Sequence, residues 1–107
     1  METSSLKVRV YFLKRKPENM IEIDQAETIA KWILENLYDL VWEAEFKNLV
    51  TPIIIAMKFR VEPDPFGIPV VRKPDHPNLS VRDLIQIGPT YYLVLQNGFR
   101  EMIAQKS

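Results

Sequence analysis

Apolar and polar positions alternate over residues 6–13. Val8, Val10 and Phe12 fall on one face, and Lys7, Arg9 and Tyr11 on the other. A period of two is that of a half-buried β-strand. The Lys14-Arg15-Lys16-Pro17 run closes it, because proline lacks the N–H a central ladder needs.

The period changes over residues 24–42. Ala26, Ile29, Ala30, Ile33, Leu37, Leu40 and Val41 recur at helical spacing, with neither glycine nor proline between them. Asp24 followed by Glu27 reads as a capping pair. The pattern therefore predicts one long helix. Leu34, Tyr38 and Trp42, each four residues from the next, would lie about 100–180° from the centre of that stripe.

After Pro52 the alternation resumes. Ile53, Ile55, Met57, Phe59 and Val61 share one face; Ile54, Ala56, Lys58, Arg60 and Glu62 share the other. Their β-branched content favours a strand. Residues 46–50 read as a short strand before it or as its approach. Residues 62–78 hold five of the eight prolines and read as a loop, with a short edge strand over 68–72. Ser80 and Asp83 resemble a second helix cap, with a short helix over 84–87 ended by Gly88. Residues 91–96 read as a strand. Asn97-Gly98 is a type I′ hairpin signal, and residues 99–105 return as a strand or a short helix.

The order β, α, β, weak β, short α, β suits an α+β fold of ferredoxin-like βαββαβ type, with one long helix packed on one face of the sheet. A β-grasp-like or other small α+β roll is the alternative. The 107 residues make a single domain, since two cores would not fit.

Composition narrows the function. Apolar residues reach 47%, too many for a disordered segment. The absence of cysteine excludes thiolate metal sites, disulfides and thiol nucleophiles. Three glycines are too few for a phosphate-cradling loop. No charged segment leads into an apolar stretch of signal-peptide length, and no apolar run approaches the roughly 20 residues of a membrane span. A soluble, cytoplasmic chain is expected.

Fourteen basic and fourteen acidic side chains cancel, but unevenly. Residues 1–16 carry five basic groups against Glu2, residues 17–45 eight acidic groups against Lys31, and residues 46–107 eight basic against five acidic. If both predicted strands pack on the same helix, Lys7, Arg9, Tyr11, Lys58 and Arg60 share the open sheet face. Cations beside a stacking aromatic suit single-stranded nucleic acid. The aromatic stripe Leu34, Tyr38 and Trp42 suits a protein interface instead.

His76, the one histidine, sits between prolines in Pro74-Asp75-His76-Pro77. No spacing pairs it with a nucleophile, and no ligand set predicts a metal or cofactor. The expected function is a non-enzymatic binding or adaptor domain working through protein–protein contacts, as a homo-oligomer or with another protein. A nucleic-acid-binding module is the alternative.

Overall fold

The computed structural model describes residues 6–47, 50–61, 68–69 and 79–105. The chain is an α+β fold built on one antiparallel sheet. Its strands are β1 (Leu6–Leu13), β2 (Tyr38–Phe46), β3 (Ile68–Pro69), β4 (Leu84–Ile87), β5 (Thr90–Leu95) and β6 (Gly98–Ile103). They lie in the order β3-β2-β1-β4-β5-β6. The two-residue β3 is only an appendage on β2, where Trp42 pairs with Pro69. Among the described residues the helices are α1 (Pro17–Gln25), α2 (Lys31–Leu37) and α3 (Pro52–Val61).

The strand expected over 6–13 forms, but as a central strand flanked by β2 and β4. Both its faces are also covered over residues 10–13. Tyr11 and Leu13 pack with Ile23 of α1 and with Ile33 and Leu37 of α2. Val8, Val10 and Phe12 pack with Ile55 of α3, Trp42, Ile85 and Ile87. The sheet is thus a middle layer between α1/α2 and α3. The ferredoxin-like arrangement does not form. Among the described residues β1 pairs directly and antiparallel with β2, the strand that α1 and α2 lead to, and helices lie on both faces of the sheet, whereas the split β-α-β layout sets another strand between two that a helix joins and keeps its helices on one face.

The single helix over 24–42 is also overturned. Pro17 opens α1 at its first turn, where its missing N–H costs nothing. Asp24 lies in the last turn of α1 rather than at an N-cap. The chain then bends at Glu27 and Thr28, α2 takes seven residues, and at Tyr38 the chain becomes β2. Between Val10 and Tyr11 the β1–β2 register shifts: Val10 faces Trp42 while Tyr11 faces Leu40. Val41 is the extra residue of a β-bulge.

Residues 52–61 are helical, not extended. Thr51 stands at the N-cap, its Oγ1 accepting the Ile54 N–H at 3.4 Å, and Pro52 occupies N1. Ile55 is fully buried, while Ile53, Ile54 and Met57 are exposed.

The segment expected as a short helix at 84–87 is β4. The Ser80–Asp83 chemistry is real but closes a turn. The Ser80 N–H donates to Asp83 Oδ2 at 2.7 Å, and the Asp83 N–H donates to the Ser80 carbonyl at 3.0 Å. Arg82, at φ 79°, holds the third position of that turn, where a type II geometry requires positive φ. Gly88 does not end a helix. It has φ 60° and, with Pro89, forms the two-residue loop between paired Ile87 and Thr90. Positive φ followed by a residue locked near about −65° is the type II′ hairpin pattern.

The β5–β6 hairpin forms where expected, and β6 is a strand. Its closing pair is Leu95–Gly98, so Gln96 and Asn97 are the loop residues. Neither has positive φ, which excludes the type I′ turn.

Candidate functional site: a groove beside the sheet edge

The expected basic face does not assemble. Lys7, Arg9 and Tyr11 do share the α1/α2 face, but β2 supplies acids opposite them. Glu43 Oε1 lies 3.3 Å from Arg9 Nε and 3.7 Å from Lys7 Nζ, and Glu45 pairs with Lys7 in register. Tyr11 is buried, donates to Gln86 Oε1 at 2.8 Å and stacks obliquely near Tyr91, ring centroids 6.5 Å apart. Burial raises its phenol above the usual tyrosine value. A ring so held is not free to stack on a base. Lys58 and Arg60 belong to α3, which packs on the opposite face of the sheet, and their side chains lie outside the described residues.

The aromatic stripe is likewise divided. Leu34 is on α2, half-buried against the α1/α2 core. Tyr38 and Trp42 are on β2, 3% and 4% exposed, on opposite sides of the sheet. They are core residues, not an exposed contact patch. The reason is the helix-to-strand switch at residue 38: four-residue spacing aligns side chains only on a continuous helix.

Tyr38 joins a polar cluster that pins β1 to the turn before β4. Its hydroxyl donates to the Arg82 carbonyl at 2.7 Å, and burial pushes its pKa well above the ordinary value. Asp83, with no solvent exposure, accepts the Leu13 N–H at 2.9 Å and Arg15 Nη2 at 2.8 Å. Arg82 holds Asp24 in a two-pronged pair, both contacts 2.9 Å; that hydrogen bond keeps the Asp24 carboxyl below its usual range. Each charge here is matched and each hydrogen bond internal, so the cluster braces the fold.

Among the described residues an open feature lies elsewhere. Between α3 and the β5–β6 hairpin runs a groove of about 400 Å³. Ile53, Ala56 and Met57 form one wall; Val94, Leu95 and Phe99 form the other; Gln96 and Gly98 close the hairpin end. Ile53 is 58%, Met57 55% and Leu95 39% exposed. The groove exists because α3 covers the middle of the sheet and stops short of its β6 side. No sequence signal located it, because residues 53–62 read as a strand.

Among the described residues no group of three metal-ligating side chains occurs, and no helix is long and apolar enough to cross a membrane. His76 lies outside the described residues, as do residues 70–72 of the expected edge strand. Comparison with protein families, with curated proteins and with solved structures finds no match for the chain.

Proposed function

We propose that the chain is a non-enzymatic, cytoplasmic binding domain that contacts a protein partner through the groove between α3 and the β5–β6 hairpin. The observation that carries this is the concentration of solvent-facing apolar side chains there. Ile53, Met57 and Leu95 are each more than one-third exposed and border one concave surface. Single exposed apolar residues need no explanation, but a contiguous set lining a depression marks contact sites. The nucleic-acid reading has lost the geometry it needed, since Glu43 sits against both Lys7 and Arg9.

A photo-crosslinking residue at position 57, compared with one at exposed Glu22 on α1, tests the site. A protein joined from position 57 and not from position 22 supports the reading, and a second copy of the chain joined there assigns self-association. Equal labelling from both positions overturns it.

A further inference from the structure

Strand β6 is an outer strand of the sheet, and its hydrogen-bonding parity can be read from its neighbours. Across the hairpin, Val94 turns both its polar groups toward the turn before β4. Its N–H donates to the Asp83 carbonyl at 2.9 Å, and its carbonyl accepts the Arg82 N–H at 2.8 Å. Val94 pairs with Phe99, so Phe99 faces outward, and by the period of two so do Glu101 and Ile103. The Ile103 carbonyl confirms this parity by accepting the Ile29 N–H at 2.9 Å. There the chain between α1 and α2 covers the edge. Further along, among the described residues, nothing pairs with the outward backbone groups of Phe99 and Glu101.

Edges left open in soluble proteins are normally guarded by proline, outward lysine or a bulge. Residues 98–102 have neither proline nor lysine, and their register with β5 is unbroken. Arg100, the one cation on the strand, is engaged elsewhere, its Nη2 donating to the Ala26 carbonyl at 3.0 Å and to the Ile23 carbonyl at 3.3 Å. The same open stretch borders the groove, with Gly98 and Phe99 in its wall.

We infer that the partner is an extended peptide segment that adds to β6 as a further strand, with alternate side chains on the α3 side and an apolar one entering the groove. This rests on the groove being the contact site. The chemistry of the occupant follows from the edge. Only an extended backbone satisfies outward N–H and C=O groups in the sheet plane. Glu101, exposed on the groove side of β6, calls for a cation opposite it. A second copy of β6 suits the edge poorly. The two antiparallel registers that overlap the open stretch most fully set Arg100 against Arg100 or Glu101 against Glu101, and like charges directly opposed are destabilising.

The test uses random dodecapeptides displayed on phage and selected on the whole chain, with the winners synthesised and their affinities measured by fluorescence anisotropy. Three variants are compared. Glu101→Pro removes an outward N–H that the β5–β6 ladder does not use; Glu101→Lys keeps the edge and reverses its charge; Met57→Asp spoils the groove. The expected winners alternate apolar and polar residues, carry lysine or arginine and lack proline. They lose about tenfold or more in affinity to Glu101→Pro and to Met57→Asp, and lose affinity to Glu101→Lys. N-methylation of alternate peptide bonds in a winner abolishes its binding, a readout independent of whether Glu101→Pro folds. Winners that lose affinity to Met57→Asp but tolerate N-methylation and Glu101→Pro overturn strand addition and leave the groove reading standing. Winners indifferent to Met57→Asp overturn both. A chain that selects no peptide but dimerises through the edge, as judged by loss of the dimer in Glu101→Pro, replaces the peptide with a second copy.

Discussion

Asp83→Ala is the substitution on which the account of the fold depends most. The carboxylate is fully buried and accepts at least three hydrogen bonds, from the Leu13 and Ser80 backbone N–H groups and from Arg15. Removing it strands two backbone donors and leaves Arg15 without its counter-charge. A buried donor left without a partner costs about 1–3 kcal/mol, and breaking a buried ion pair from one side costs about 3–5 kcal/mol. Arg15 is 29% exposed, so water recovers part of its charge, and a total of about 3 kcal/mol is expected. A chain of this length has a total stability of about 5–15 kcal/mol. With a urea slope near 2 kcal/mol/M, the unfolding midpoint should fall by about 1.5 M. Urea titration followed by tryptophan fluorescence reads it directly. Arg15→Met should cost less, because the two backbone donors keep their acceptor. The double variant should cost less than the sum of the two singles, since residues sharing one network are not additive. An Asp83→Ala midpoint within about 0.3 M of the parent, less than 1 kcal/mol on that slope, would show that the cluster does not brace β1.

Three further outcomes follow from the same structure. Tyr38 ionises at higher pH in the folded chain than the ordinary value of about 10 because it is buried; stability is therefore complete below pH 10 and falls as pH rises beyond it. Tyr38→Phe should flatten that alkaline fall in thermal melts, at the cost of about 1 kcal/mol for the lost bond to Arg82. Gly88→Ala should destabilise by about 1–2 kcal/mol in denaturant titrations, because its φ of 60° is costly for a side chain, even though the added Cβ would meet nothing closer than Leu6 at 3.5 Å. Trp42→Ala should cost about 3–5 kcal/mol as a core cavity; a small change in midpoint accompanied by loss of partner binding would return Trp42 to the surface.

The sequence disclosed its local, regular elements and concealed those shaped by tertiary context. The alternation of β1 and the β5–β6 hairpin were legible because each is a short-range pattern. The bulge is part of why residues 24–42 resemble one helix. Placing Val41 and Trp42 together on the α3 side makes Leu40-Val41-Trp42 an unbroken apolar triplet, which hides a period of two and extends the helical one. The β-branched run at 53–55 favours a strand, and the signal that reading leaves out is Thr51-Pro52, the cap and first-turn pair of α3. At 80–87 the cap chemistry is present but closes a turn, and a strand follows it. Leu84, Ile85 and Ile87 are apolar on both faces because β4 is buried on both faces, and that pattern resembles a short helix as much as a strand. The candidate site suffered most. Whether Lys7 and Arg9 face water or Glu43 depends on which strand lies beside β1, and no local pattern carries that information.

The central place of β1 has a consequence for how the chain acquires its shape. Tyr11 pairs with Leu84 and Val8 with Ile87, so the seam through the middle of the sheet joins segments more than 70 residues apart. Contacts of such separation slow folding, because the loop must close before they repay its entropy. At about 5–20 residues per second of synthesis, β1 waits on the order of 4–15 s for β4 to be made. Until then a β1–β2 pair would present an unmatched strand edge and apolar side chains on both faces. The interval is one in which a chaperone, or a neighbouring nascent chain, competes with β4 for the same hydrogen bonds. Substitutions that weaken the β1–β4 seam should therefore lower the yield of soluble chain by more than their equilibrium cost alone implies.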